Sequence, residues 1–264
     1  MKCLFGIIFL ISVNASAQIN VGPRFSGMAS TGVSLSDVWS VHENQAGIAA
    51  VMRASFAVAF QKPFAGYDLS TQAAAMILPV SNNVFALSIQ QYGNGTYKHQ
   101  KTGLSYARSF GDQLFAAITF NHHMLRIDGY GSSQTYSVEA GAQYKVGRSI
   151  SLGVHVATPG IRGSDRDLDL PVETRVQLGA SCRISEKLIL AMSVDKAFHK
   201  HTDVRTGLEY RAIEMLALRG GLSANPFRQF AGLGVNYKKL NMDISVSSQP
   251  IVGYSPQISL SYEL

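Results

Sequence analysis

From about Arg53 to the C-terminus, apolar and polar residues alternate, and a period of two is what a β-strand with two unlike faces produces. Phe85, Leu87 and Ile89 interleave with Ala86, Ser88 and Gln90. Leu114, Ala116, Ile118 and Phe120 oppose Ala117, Thr119 and Asn121, and Tyr136, Val138, Ala140, Ala142 and Tyr144 oppose Ser137, Glu139, Gly141 and Gln143. The closing SPQISLSYEL sets Ile258, Leu260, Tyr262 and Leu264 against Gln257, Ser259, Ser261 and Glu263. This pattern predicts about fourteen strands, near 53–61, 67–79, 83–92, 97–110, 113–126, 133–146, 149–157, 170–183, 187–196, 202–212, 215–224, 228–237, 240–249 and 254–264. Those near 67–79 and 215–224 leave their facing open.

The connections alternate as well. Ser81-Asn82, Gly111-Asp112, Gly147-Arg148, Ser185-Glu186, Ile213-Glu214 and Lys238-Lys239 read as minimal turns. Between them fall longer links such as KPFAGY, YGNGT, IDGYGS, TPGIRGSDRDLDL, FHKHT and NPFR. Tight turns at one end and longer loops at the other characterise outer-membrane barrels. A soluble sandwich also alternates, but its outer face usually carries many lysines and glutamates. Here the polar face is mostly Gly, Ala, Ser, Gln and Thr. Strands in lipid must also close into a ring, because no backbone donor can be left unpaired there. The reading is therefore all-β: a transmembrane antiparallel β-barrel of about fourteen strands over 53–264, its oily face solvated by outer-membrane lipid.

Composition supports this. Charged residues make up 15 % of the chain, against roughly 25 % in soluble domains. No apolar run beyond the N-terminus approaches the ~20 residues of a spanning helix. Residues 1–17 combine Lys2, an apolar run from Leu4 to Val13 and the small residues Ala15-Ser16-Ala17, which reads as a cleaved signal peptide with Gln18 as the mature start. Cys182 is the one cysteine after it, so no internal disulfide can form. The net charge of +6 comes without a lysine–arginine cluster interleaved with aromatics, which argues against nucleic acid as a partner.

Residues 18–52 do not alternate. RFSGMASTGVSLSDVWSVHENQAGIAAV mixes Gly and Ser with one predicted short helix, capped by Ser36 or Asp37 and ended by Gly47. A plug folded into the lumen would bury Trp39, the only tryptophan. The matching positions Gly27, Ala29, Gly32, Leu35, Asp37, Trp39, Ser40, Val41, Asn44, Ala46, Gly47, Ile48 and Ala49 resemble the leader of FadL-like outer-membrane proteins. The likeness is strongest to the PorV and PorQ branch of the bacterial type IX secretion apparatus. It implies a fourteen-stranded barrel with an N-terminal plug in a Bacteroidota-like organism. Gln45 departs from the family's usual proline, which should loosen the turn.

Candidate lumenal charges are Glu173, Arg175, Asp195, Asp203, Arg205, Glu209 and Arg211, with Asp243 and Glu263, and cross-strand pairing is their expected role. His122 and His123 point to opposite faces of a strand and so do not share a metal, and His199 and His201 lack a third ligand at suitable spacing. No nucleophile elbow or phosphate loop appears, so neither an enzyme nor a cofactor is expected. Tyr106, Tyr136, Tyr144, Tyr210, Tyr237 and Tyr262 fall near strand ends, as an interfacial girdle would. External loops of mostly five to seven residues leave little surface for capturing ligands. The expected function is thus a partner-binding accessory subunit of a secretion or outer-membrane assembly complex, docked to larger envelope proteins. The alternative is FadL-like passive uptake of a hydrophobic ligand.

Overall fold

The computed structural model describes residues 21–63, 68–158, 160–162, 172–198, 200–250 and 253–264. The predicted signal peptide, most of the link after Thr158, and His199 lie outside the described residues. The strands are β1 Ser55–Gln61, β2 Ser70–Val80, β3 Asn83–Gly93, β4 Tyr97–Phe110, β5 Leu114–Ile127, β6 Gly131–Val146, β7 Ile150–Ala157 and β8 Ile161–Arg162. They continue as β9 Arg175–Ser185, β10 Leu188–Ala197, β11 Asp203–Ile213, β12 Leu216–Ala224, β13 Phe227–Tyr237, β14 Leu240–Gln249 and β15 Gly253–Glu263. Sequence neighbours pair antiparallel, β7 pairs with β9, and β1 pairs with β15, setting Val58 opposite Leu260. β8 is a two-residue attachment to β6 through Thr135 and Tyr136. The other fourteen strands form a closed ring with no free edge, as a bilayer requires.

The two faces are inverted relative to a soluble protein. Leu104 and Ile118 point outward at 61 % and 53 % exposure, while the inward Ser105 and Thr119 are each 1 % exposed. Hydrocarbon around the wall makes that distribution stable; water would not. The two undecided strands now have a facing. Met76, Leu78 and Val80 of β2 point out and Ala73, Ala75 and Ile77 point in, while β12 presents Leu218 and Leu222 to lipid and Arg219 to the lumen. Tyr106, Tyr144, Tyr210, Tyr237 and Tyr262 are exposed toward the short-turn end, and Tyr136 and Tyr254 toward the other.

The sorting of short and long connections is weaker than expected. By the strand bounds, only 62–69 and 158–174 exceed five residues, and the links 94–96, 128–130 and 225–226 are as tight as the turns at the opposite end. Hairpin pairing simply runs further than the pattern showed, because Gly93 at φ 131° and Gly131 at φ 103° accept turn conformations closed to other residues.

Candidate functional site

The lumen is filled by residues 21–50, which fold as a plug. Its elements are α1 Pro23–Ser26 and three short 3₁₀ turns, η1 Gly32–Ser34, η2 Val38–His42 and η3 Gln45–Ala50. The single helix expected after Ser36 is therefore two turns, and Gly47 lies inside the second instead of ending the first. Asp37 caps η2: its Oδ1 accepts from the Trp39 amide at 3.1 Å while Ser40 Oγ accepts from the Asp37 amide at 3.1 Å. Asn44 caps η3 by accepting from the Ala46 amide at 3.2 Å. Trp39, Ala46 and Ile48 are fully buried. Gly47 leaves no room for a side chain, since a Cβ would come within 2.6 Å of Leu35 O and Ser40 Oγ.

The wall is shaped to receive this plug, and unevenly so. Toward β6, β7, β9 and β11 it offers hydrogen bonds and glycines. Asn44 Nδ2 donates to Ala142 O at 3.3 Å and Val154 O at 3.2 Å, and Gln143 Nε2 donates to Val33 O and Leu35 O, both at 2.9 Å. Ser181 Oγ donates to Ser34 O at 3.3 Å. Side chains on Gly141, Gly153 and Gly207 would collide with Asn44 Oδ1, Val33 O and Met28 O, respectively. Toward β1–β4 the contact is apolar. Val38, Trp39, Val41 and Ile48 share one core with Ala57, Ala73, Ala75, Ala86 and Ala107. The Gly, Ala, Ser and Gln of the inner face are thus the footprint of the plug.

Lumenal charges form paired networks, in part as expected. Arg175 Nε donates to Asp195 Oδ1 at 2.7 Å, and Arg205 bridges Asp195 at 3.1 Å and Asp203 at 2.7 Å. Glu209 accepts from Arg24 of the plug at 2.9 Å and from Arg219 at 2.8 Å, and Arg219 reaches Asp243 at 2.6 Å. Two expected members are placed otherwise. Glu173 precedes β9 and pairs with Lys200 at the end away from the short turns, where side chains are partly wet. Arg211 is exposed at the short-turn mouth, beyond the pairing zone. Gln45 also differs from expectation: rather than loosening a turn, it anchors the plug by donating to Glu139 Oε2 at 2.6 Å. Glu139 is the hub that sequence reasoning passed over. It also accepts from Lys101 at 2.5 Å and Asn121 at 2.9 Å, and its Oε2 lies 3.2 Å from His155 Nε2. Arg24, Lys101 and Arg219 were missed as well. A lone charge on the Gly-Ser-Gln face was the signal that could have found Glu139.

The histidines divide by face. His122 meets Gln134 on the outer surface, while His123 and His99 stack inside with ring centroids 6.0 Å apart. Among the described residues no group of three histidine, cysteine or acidic side chains could hold a metal. Within the plug, His42 lies against Trp39, with ring centroids 6.1 Å apart. Burial, reinforced by the Lys101 ammonium, pushes its pKa down to about 3. As pH falls through the ordinary histidine range the unfolded chain takes up a proton that the folded one refuses, so this contribution erodes stability from about pH 6.5 toward about pH 3. The wild-type thermal midpoint should fall more steeply over that window than that of His42→Gln. Parallel profiles would refute this.

Two further spaces lie near the plug, one at the mouth and one across the wall. A polar vestibule of about 410 Å³ opens at the short-turn mouth between Arg24, Asp37, Arg53, Arg211 and Glu263. An apolar cleft of about 720 Å³ lies on the lipid side of the wall, edged by Val58, Phe60, Ile89, Met242, Ile258 and Leu260. The plug's apolar face and this cleft occupy the same sector, with the alanine-lined strands β1 and β2 between them.

No family model matches the chain, and no curated protein matches it. Solved structures do. The toluene transporter TbuX of Ralstonia pickettii superposes with a TM-score of 0.74 at 13 % identity, over 93 % of this chain and 98 % of that one. The monoaromatic hydrocarbon channel CymD gives 0.72 at 11 % identity, over 93 % and 98 %. A FadL homologue of Pseudomonas aeruginosa gives 0.64 at 12 % identity, over 91 % and 98 %. The chain has the FadL-like fold, and the first two of these neighbours are a toluene transporter and a monoaromatic hydrocarbon channel. This corrects the expectation of an accessory subunit in a secretion or assembly complex, since the fold is shared along almost its whole length with proteins named for hydrocarbon passage. It favours the alternative.

Proposed function

We propose that this chain admits small hydrophobic molecules passively across the outer membrane. The observation that carries the reading is the shared fold with hydrocarbon transporters over more than nine-tenths of both chains. The interior supports it. A solute with no charge gains nothing from lumenal groups that are already paired with one another, and the apolar face of the plug toward β1–β4 offers it the milder route. The cleft on the lipid side of that sector gives such a solute an apolar surface across a wall of alanines. We further propose that the chain reaches the outer membrane after cleavage before Gln18, supported by the pattern of residues 1–17, which N-terminal sequencing of the membrane-extracted protein would check. The leader's likeness to the PorV and PorQ branch, and the Bacteroidota-like source it implies, we read as shared plug architecture.

Cells producing the chain should take up dilute radiolabelled toluene several-fold faster than cells without it. In the purified protein a bromobenzene probe should quench the emission of Trp39, the only tryptophan, saturably. Uptake at the background rate, with Trp39 emission unchanged by the probe, would sink the proposal.

A further inference from the structure

The formal charge of this protein is not spread evenly. In the lumen, the six basic groups Arg24, Lys101, Arg175, Arg205, Arg219 and Arg228 stand against seven acidic ones, and ion pairs absorb most of both. At the short-turn end the balance is different. Arg108, Lys145, Arg148, Arg183, Lys187, Arg211, Lys238 and Lys239, with Arg53, face only Asp112, Glu186, Glu214 and Glu263. Nine against four is a surplus of five, most of the +6 that the whole chain carries.

We infer that the short-turn rim is a collar for anionic phospholipid headgroups. Three observations place the partner. The collar begins where the tyrosine girdle ends: Lys238 Nζ lies 5.3 Å from the Tyr237 ring and the Arg108 guanidinium 5.4 Å from the Phe110 ring, so the charges stand at headgroup depth. They occupy the β4–β5, β6–β7, β9–β10, β11–β12 and β13–β14 hairpins, which are distributed around the ring. A protein partner abuts one side of a barrel, whereas a leaflet surrounds it. Finally, Arg108, Arg148, Lys187, Lys238 and Lys239 are exposed, and among the described residues none is engaged in an ion pair. The acidic phosphate diester of a phosphatidylglycerol-like lipid is the group such flexible cations recognise.

The test uses the full mature chain in nanodiscs of equal phosphatidylglycerol and phosphatidylcholine, released for native mass spectrometry. The wild type should retain the anionic lipid with roughly tenfold preference, declining in high salt. Replacing four exposed collar residues together (Arg108→Gln, Arg148→Gln, Lys187→Gln, Lys238→Gln) should abolish the preference. Neutralising exposed cations at the opposite end (Lys62→Gln, Lys98→Gln, Arg126→Gln) should leave it intact. Heat-modifiable migration on a gel confirms that each variant is folded. Equal retention of both lipids by the wild type overturns the inference and leaves the collar to an acidic protein. An unchanged preference in the collar variant, or loss of preference in the opposite-end variant, overturns it too.

Discussion

Gly153→Leu is expected to unseat the plug while leaving the barrel closed. Gly153 sits on β7 between Gln143 of β6 and Gly179 of β9, hydrogen-bonded on both sides, so the wall cannot retreat. A side chain there would meet Val33 O, Val33 C and the Ser34 Cα of the plug backbone. The plug must move instead, and in moving it loses the bonds from Gln143 to Val33 O and Leu35 O and those from Asn44 to Ala142 O and Val154 O. Overpacking costs about 1–3 kcal/mol and each buried polar group left without a partner about as much again, so the loss should exceed about 3 kcal/mol. In planar bilayers the variant should conduct ions where the wild type is nearly silent. Gly220→Ala, with open space at its Cβ, is the matched control. A conductance equal to wild type would show that the plug tolerates displacement, contrary to the packing described.

Glu139→Leu should be the most destabilising single change in the lumen. The carboxylate is 5 % exposed and serves Lys101, Asn121, His155 and Gln45 together. Removing it strands the partly buried Lys101 ammonium and breaks the bond from Gln45 of the plug to β6, and breaking a buried pair costs up to about 3–5 kcal/mol. Because the damage is an uncompensated charge rather than a missing attraction, Glu139→Leu with Lys101→Met should recover much of it. Urea titration of the protein in lipid vesicles would measure both. A single variant within about 1 kcal/mol of wild type would remove Glu139 from the centre of this network.

What could be read from residue order alone was whatever has a local cause. Period-two alternation located the fourteen spanning strands to within a few residues, because one face of every strand must meet lipid wherever that strand ends up in the ring. Asp37 and Trp39 could be singled out because capping and a lone tryptophan leave marks within a few positions, whereas Asn44 stood out only through the leader's resemblance to FadL-like proteins. The partners of the lumenal charges could not be read. Arg24 meets Glu209 across 185 positions and Gln45 meets Glu139 across 94, distances over which no sequence period survives. The same holds for Gly141 and Gly153: their small size is visible in the chain, but only ring closure brings the plug against them. The sequence by itself determined which side of most strands is oily, β2 and β12 excepted, and that the segment before Arg53 is no strand. Tertiary structure alone decided that this segment fills the lumen, bonded to β6, β7, β9 and β11 and merely apolar toward β1–β4, because hydrogen bonds and steric fit depend on neighbours in space and not along the chain.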